Sequence, residues 1–310
     1  MGAEVIVTKD LTKIYSGHLG SGAVRSLDSL NLVIRENEVF GFLGRNGAGK
    51  TTTIKILCSL LRPTDGWATV YGENVRSRNA RRFIGFLPEN PYFYEYLTPK
   101  ETLDFYGRLN GLDAAARARE WDSLGKLLDL HRIANQRVRG FSKGMRQRLG
   151  FAVALVGDPE VLILDEPMSG LDPLGRRSIR ELILRMRDAG KTIFFSSHVL
   201  GDVEQICDRV GILVNGKLTT QGRIDELLTQ HVRQVEVILA GLSEADAKAI
   251  ANGADHKRVS EAGRHFVVED PQKADALVRA AQGRGAQLVE FTPIRESLED
   301  YFMREQGDDS

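Results

Sequence analysis

The chain has 310 residues, of which 42% are hydrophobic and 27% charged, as is typical of a globular protein with an apolar core. Its 42 basic and 42 acidic residues balance, so we expect no nucleic acid partner, because such a partner favours a basic excess. No apolar run approaches about 18 residues, and no secretory signal is visible at the N-terminus, so we expect no membrane span and a cytoplasmic location. The two cysteines, Cys58 and Cys207, are too few for a disulfide framework and are expected to be reduced core thiols.

The chain opens with two strand-like segments. Residues Glu4 to Lys9 alternate between apolar and polar, and a second strand-like run extends from Val24 to Ile34. A Gly/Ser loop at 16–22 separates them and follows Tyr15, which by itself is a core or rim residue more often than a ligand contact. An antiparallel β region is therefore expected here.

The apolar run Val39–Leu43 leads into a glycine-rich loop and then a helical pattern at Ile54–Leu57. This strand–loop–helix order is the context that the G-x-x-x-x-G-K-[ST] motif requires. The loop N–H groups and the positive end of the helix dipole would face an anion, Lys50 would reach the β- and γ-phosphates, and Thr51 would place its hydroxyl on Mg²⁺. A glycine-rich turn that merely contains a lysine is the alternative. The predicted phosphate-binding residues are Gly44, Arg45, Asn46, Gly47, Ala48, Gly49, Lys50, Thr51 and Thr52.

Strands are predicted next at Trp67–Tyr71 and Phe83–Leu87, followed by amphipathic helices at Lys100–Leu109 and Ala114–Leu130. The intervening segment 92–97 contains four aromatic residues. They could form the core of a small helical subdomain, or they could line a groove that receives a helix of a partner. The sequence favours neither alternative.

A further helix is expected to begin after Ser142, which has the position and chemistry of an N-cap. A cap does not explain Gly144, because glycine in the first turn weakens a helix by up to about 1 kcal/mol relative to alanine. We therefore expect another group to approach the backbone at Gly144.

Val161–Leu164 are four consecutive aliphatic residues, which predicts a strand buried on both faces of a parallel sheet. The strand ends in Asp165 and Glu166, and buried carboxylates need a cation or hydrogen bonds to stay charged. A Mg²⁺ shared with the glycine-rich loop would satisfy them; a solvated loop is the alternative. Another buried strand, Thr192–Phe195, is followed by His198. A lone histidine is usually a surface or core residue, but one after a parallel strand beside a phosphate site is better placed than most for function.

Asp172 and Pro173 form a good helix start, and taken alone they are structural. A hairpin is predicted across Asn215-Gly216. A composition break at 228–232 precedes a β-α-β-β-α-β order, which suggests a small ferredoxin-like module. A last helix is predicted to carry four apolar residues on one face: Ile294, Leu298, Tyr301 and Phe302.

The order of these segments resembles the nucleotide-binding domain of the ATP-binding cassette (ABC) family over residues 4–228. The implied fold class is α/β: a P-loop NTPase domain with a mixed sheet core, an antiparallel β subdomain and a helical subdomain, plus a small α+β ferredoxin-like C-terminal domain. The implied domains are 1–230, with the helical subdomain at about 90–158, and 233–305. By this resemblance Tyr15 would stack on adenine, Val24 would lie near the base or ribose, and the segment from Ser169 to Asp172 would be the D-loop.

The same resemblance assigns catalytic roles to Lys50, Glu166 and His198: Glu166 polarises the attacking water, and His198 contacts the γ-phosphate. Asp165 would hold Mg²⁺. Ser142 and Gly144 match the signature segment, in which a second copy of the chain completes the ATP site. A separate multi-span permease would be the membrane partner, so the protein would lie on the inner face of the cell membrane.

Two departures from the family pattern are visible. Glu89 stands where the family usually has glutamine; a carboxylate can still bind Mg²⁺, but it adds negative charge near a γ-phosphate. In the signature segment, Lys143 replaces a glycine and Met145 a glutamine. These variants, and the Ser-Leu-Glu-Asp sequence at 297–300, resemble ATPases of multidrug and ABC-2-type exporters. The ABC ATPases that act on ribosomes or DNA form the rival class, but this chain has one cassette and no long coiled-coil insertion.

Overall fold

The computed structural model describes residues 2–16, 22–229, 232–251, 255–260 and 263–295. The chain forms two compact units, Met1–Ile224 and Asp225–Ser310, each of which is described by itself. The expected domain limits, 1–230 and 233–305, stay a prediction. No helix in the described ranges is long and apolar enough to cross a membrane.

The centre of the first unit is a six-stranded mixed sheet. Its strands are β3 (Val39–Leu43), β6 (Ile84–Leu87), β7 (Val161–Leu164), β8 (Thr192–Ser197), β9 (Arg209–Val214) and β10 (Lys217–Arg223), in the order β10-β9-β3-β8-β7-β6. Neighbouring strands are parallel except β9 and β10, which form the predicted hairpin. The side chains of β3, β7 and β8 are buried throughout, because elements cover both faces of these strands.

A four-stranded antiparallel sheet forms the second layer, in the order β2-β1-β4-β5. It consists of β1 (Glu4–Tyr15), β2 (Val24–Arg35), β4 (Asp65–Val70) and β5 (Glu73–Asn74). The predicted first strand, which ended at Lys9, was too short. The register shifts between Thr8 and Leu11, and Asp10 has a φ of +48°, so a bulge interrupts the alternation on which the prediction relied.

The helices of the first unit include three that pack on one another as a helical subdomain: α3 (Pro99–Leu109), α4 (Ala114–Leu127) and α5 (Lys143–Leu155). Helix α4 ends before the predicted Leu130 because Asp129 adopts a left-handed φ of +55°. The remaining helices are α1 (Lys50–Leu57), α2 (Arg78–Arg82), α6 (Pro173–Asp188), α7 (Leu200–Ile206) and α8 (Ile224–Thr229), whose residues from Asp225 onward belong to the second unit.

The aromatic segment before α3 divides its side chains between core and surface. Phe93 is buried, whereas Tyr92, Tyr94 and Tyr96 are 83%, 46% and 63% exposed. Tyr94 also contacts Tyr96 and Phe105 through its ring. Both predicted roles therefore remain supported. Phe93 belongs to the core, and the three exposed tyrosines are accessible to a partner helix.

The second unit has the predicted β-α-β-β-α-β order. Its elements are β11 (Val232–Ala240), α9 (Glu244–Ala251), β12 (Asp255–Ser260), β13 (Gly263–Val268), α10 (Pro271–Gln282) and β14 (Gln287–Arg295). The sheet order is β12-β13-β11-β14, with every neighbouring pair antiparallel, and both helices contribute to one apolar core. This is the ferredoxin-like arrangement.

The predicted last helix was wrong at its start. Ile294 lies in β14 and pairs with Gln234, and Pro293 is tolerated because β14 is an edge strand. The other residues of that predicted helix, Leu298, Tyr301 and Phe302, lie outside the described residues.

Candidate active site

The glycine-rich loop between β3 and α1 depends on close backbone approaches. A Cβ on Gly44 would lie 2.7 Å from the Leu213 carbonyl oxygen, and one on Gly49 would lie 2.5 Å from that of Ser26. Gly49 also has a φ of +113°, which a residue with a side chain rarely adopts. Glycine is therefore required at both positions for the loop to fold against the sheet and turn into α1.

A cavity of about 380 Å³ opens beside this loop. It collects residues from the glycine-rich loop, β2 and the segments after β6, β7 and β8. Its lining residues are Ser26, Arg45, Asn46, Gly47, Gly49, Lys50, Thr51, Thr52, Glu89, Glu166, Ser169 and His198. Most of the predicted phosphate-binding and catalytic residues therefore share one cavity, whereas Gly44 and Ala48 support the loop without lining it.

Lys50 is buried, with 6% of its surface exposed. Its Nζ donates to the Gly44 carbonyl oxygen at 2.6 Å and lies 3.3 Å from Glu166 Oε1. The lysine charge is thus held at the floor of the cavity, where it can meet an anionic phosphate.

The carboxyl ends of β7 and β8 place Asp165, Glu166 and Ser196 side by side. Ser196 Oγ donates to Asp165 Oδ1 at 2.7 Å and accepts the Glu166 N–H at 2.9 Å. Burial raises the pKa of Asp165, while hydrogen bonds from Ser196 and Thr51 oppose that rise. The two carboxylates are therefore held by specific polar contacts rather than solvated in a loop.

His198 follows β8 directly and contacts the same glutamate. Its Nδ1 lies 2.9 Å from Glu166 Oε2, so Glu166 touches a lysine with one oxygen and a histidine with the other. The histidine side chain is 46% exposed and lines the cavity. In a neutral ring with the proton on Nδ1, Nε2 is an acceptor; Nε2 donates to a phosphate oxygen only when it carries a proton as well.

The donor set beside the loop fits Mg²⁺. This ion prefers hard oxygen ligands and keeps several waters, so few protein ligands are needed. The Thr51 hydroxyl lies near enough to the Asp165 carboxylate to oppose the rise in its pKa, and the buried carboxylate gains from a nearby cation. Glu89 lines the same cavity and supplies a further carboxylate. The described ranges contain no group of three or more His, Cys, Asp or Glu able to hold a metal by themselves.

Tyr15, the last residue of β1, pairs with Val24, the first residue of β2, in the antiparallel sheet. The Tyr15 hydroxyl lies 3.4 Å from Thr52 Oγ1, which places the ring beside the phosphate-binding loop. Both side chains are exposed, Tyr15 by 41% and Val24 by 62%. Their contact with a nucleotide base stays a prediction.

Tyr15, Val24 and Asp165 do not line the cavity, and three further predicted ligand residues, Ser142, Gly144 and Asp172, also lie outside its lining. Ser142 caps α5 as expected, accepting the Met145 N–H, and Asp172 caps α6, accepting the Gly175 N–H at 2.7 Å. A Cβ on Gly144 would meet nothing closer than the Leu171 side chain at 3.9 Å. No contact with another described residue therefore demands glycine at Gly144.

Three serines of the site were not predicted as ligand or catalytic residues, although Ser169 lies in the segment that the family resemblance assigns to the D-loop. Ser26 lines the cavity and lies 2.9 Å from Thr52 through its Oγ, Ser169 lines the cavity after β7, and Ser196 joins the two carboxylates. Ser196 follows the apolar run 193–195 near the carboxyl end of β8, and this position was a signal that it shared with Ser197.

A P-loop at the carboxyl edge of a mixed sheet, with an antiparallel sheet and a helical subdomain, defines a nucleotide-binding cassette. The sequence profile of the ABC transporter family matches residues 27–169. An uncharacterized ABC transporter ATP-binding protein of Synechocystis is 42% identical, covering 98% of this chain and 85% of its own. The bacitracin transport ATP-binding protein of Bacillus licheniformis is 36% identical, over 97% of this chain and 96% of that protein.

Solved structures agree. An ATP-binding subunit of an ABC transporter is 32% identical, with a TM-score of 0.64, covering 72% of this chain and 91% of its own. A bacterial ABC transporter cassette solved as a dimer is 25% identical, with a TM-score of 0.65. The match covers 71% of this chain and 98% of the cassette. The chain belongs to the ATP-binding subunits of ABC transporters. Its enzymatic activity is ATP hydrolysis.

Proposed function

We propose that this subunit hydrolyses ATP between two copies of itself and powers a separate permease that exports its cargo. The observation that carries the proposal is the division of the predicted ATP ligands. Lys50, Glu166 and His198 meet in one cavity, whereas Ser142 and Gly144 lie outside it. A second copy that brings its Ser142 and Gly144 to the cavity mouth would complete the site.

Within one copy, Lys50 and the loop N–H groups bind the β- and γ-phosphates. Glu166 accepts a proton from the attacking water, and the Lys50 and His198 contacts hold its carboxylate in place for that step. His198 then contacts the γ-phosphate through its second ring nitrogen. Tyr15 and Val24 receive the base.

Thr51, Asp165 and Glu89 are the residues that would hold Mg²⁺. The ion would neutralise charge on the β- and γ-phosphates during transfer. The polar contacts around Asp165 keep its carboxylate oriented toward Thr51. Glu89 brings an added negative charge to the site, where the family usually has a neutral glutamine.

The homodimer has independent support. A similar cassette was solved as a dimer, and no contact among the described residues requires glycine at Gly144. Asp172 lies at the start of α6, in the segment that the family resemblance assigns to the D-loop. Two copies related by a twofold axis would exchange these segments.

The proposals of a permease partner and of export are supported by similarity to other ABC transporter proteins. The bacitracin transport protein covers nearly the same length as this chain, and the exporter-type signature variants are present. Tyr92, Tyr94 and Tyr96 offer an exposed aromatic surface for a helix of such a permease. Through this partner the subunit would lie on the inner face of the membrane.

The homodimer can be tested by measuring specific ATPase activity over a range of protein concentrations. Catalysis between two copies predicts specific activity that rises with concentration until the dimer saturates. Constant specific activity where sedimentation shows only monomer would contradict the proposal. Purification from membranes should recover a multi-span protein identified by mass spectrometry, whereas recovery with ribosomes would favour the rival class.

A further inference from the structure

Ser196 is a polar residue in the buried interior of the first unit. It lies in β8 and is 0% exposed. Leu164 of β7 pairs with Phe195 of β8, so the next residues along the two parallel strands, Asp165 and Ser196, emerge together at the carboxyl edge of the sheet. The sheet register thus brings the hydroxyl to the carboxylates.

One hydroxyl serves two neighbouring acidic residues in different ways. Ser196 donates its proton to the Asp165 side chain at 2.7 Å and accepts the backbone N–H of Glu166 at 2.9 Å. The orientation of the Asp165 carboxylate and the position of the Glu166 backbone therefore depend on the same oxygen.

The Glu166 backbone needs such support. Its φ of +48° is in the left-handed region, which is unfavourable for a residue with a side chain. Its carbonyl oxygen accepts the Ser169 N–H at 3.0 Å, and its N–H is held by Ser196. The conformation is thus fixed at both ends of the residue, and this directs the carboxylate toward Lys50 and His198.

We propose that Ser196 is a positioning residue for ATP hydrolysis, which sets the Glu166 carboxylate and the Asp165 carboxylate in their working orientations through one hydroxyl. The inference rests on the proposed roles of these two residues. It assigns Ser196 no contact with ATP, since Ser196 does not line the cavity.

The test compares Ser196→Ala, Ser196→Cys and Ser196→Thr in the full chain. Alanine removes the hydroxyl. Cysteine replaces it with a thiol, which hydrogen-bonds weakly, and threonine keeps the hydroxyl. We expect kcat to fall by about tenfold or more in the alanine and cysteine variants, a loss that corresponds to about 1.4 kcal/mol in the barrier. KM and the affinity for a fluorescent ATP analogue should change little, and threonine should restore kcat.

Thr8→Val is the matched control. Thr8 is also buried, and its hydroxyl also donates once, to the Leu30 carbonyl, and accepts once, from the Leu32 N–H, but in the antiparallel sheet. The Thr8→Val variant should have a lower melting temperature, as Ser196→Ala should, but an unchanged kcat. A merely structural role for Ser196 predicts that both variants behave alike, and that result overturns the inference.

Glu166→Gln separates the inference from the proposed function. If Glu166→Gln abolishes turnover while Ser196→Ala and Ser196→Cys turn over as the wild type does, only the role of Ser196 is wrong. If Glu166→Gln itself turns over normally, the proposed function of the site is wrong. If the alanine variant does not fold, the kcat values of Ser196→Cys and Ser196→Thr are compared instead. Equal kcat values for these two variants would refute the positioning role.

Discussion

Lys50 and Glu166 form an ion pair at the floor of the cavity, with Nζ 3.3 Å from Oε1 and side chains only 6% and 11% exposed. The pair joins the P-loop to the end of β7, so the phosphate-binding group and the proposed base lie within one contact of each other. Both can therefore act on the same γ-phosphate and its attacking water. The close spacing also means that a change at either residue affects the other.

Glu166→Gln should bind ATP, accumulate an ATP-bound dimer and lose turnover. Glutamine keeps the shape of the side chain but cannot take a proton, and general-base catalysis contributes about 10²–10⁴-fold. We expect kcat to fall by at least about 100-fold. Size-exclusion chromatography with ATP and a phosphate-release assay measure the two effects, and turnover at the wild-type rate would show that Glu166 is not the base.

Gly144→Glu should fold normally but fail to dimerise with ATP. The position has space for a side chain within this chain, and an acidic residue in the first turn of α5 is favourable for the helix dipole. In the proposed dimer the new charge would oppose the γ-phosphate of the other copy. We expect an unchanged melting temperature and at least about a tenfold loss of kcat.

Ser123→Glu is the control for that substitution. Ser123 is exposed on α4, so the same charge is added to the helical subdomain away from the signature segment. It should leave dimer formation and turnover as they are. Normal dimerisation of Gly144→Glu would place the interface elsewhere.

Tyr15→Ala should weaken ATP binding. Stacking of a base on an aromatic side chain contributes about 1–3 kcal/mol. We therefore expect the dissociation constant to rise by about fivefold or more. Tyr15→Phe keeps the ring and loses only the hydroxyl near Thr52, so it should bind nearly as the wild type does. Equal loss in both variants, measured by titration with a fluorescent ATP analogue, would contradict stacking.

Both cysteines should react slowly with thiol reagents in the folded protein. Burial raises the pKa of Cys58 and Cys207, and the carboxylates of Asp165 and Asp208 raise them further. A raised thiol pKa lowers the fraction of reactive thiolate at any given pH below it. Titration with Ellman's reagent at pH 8 should be slow until guanidinium unfolds the chain. Rapid release of two equivalents from the native protein would contradict this.

We expect the second unit to support the dimer. A chain ending at residue 230 keeps the core of the first unit, which has its own sheets and helices. Its ATP-bound dimer fraction, measured by sedimentation in the Glu166→Gln background, should fall relative to the full chain. An unchanged fraction would remove dimer support as the role of this unit.

Features set by short segments were predictable from the sequence. The run Val39–Leu43 and the glycines after it predicted the strand, loop and helix of the P-loop. Ser142 was predicted as a cap, and Asn215-Gly216 as a hairpin turn, with left-handed φ values of +48° and +82°. These predictions were correct because backbone preferences and side-chain periodicity act over a few residues.

The same reasoning failed where short patterns were interrupted. The bulge near Asp10 hid the continuation of β1 to Tyr15, and an apolar residue at Ile294 was assigned to a helix although it continues an edge strand. In both cases pairing with a neighbouring strand overrode the local pattern.

By itself, the sequence determined which residues could carry phosphate chemistry: Lys50 in its loop, and Asp165 and Glu166 after a buried strand. Only the tertiary structure decided that Ser196 joins the two carboxylates and that Ser142 lies outside the cavity. The physical reason is that β7 and β8 are joined through a helix, and their register is fixed by packing between residues far apart in the chain.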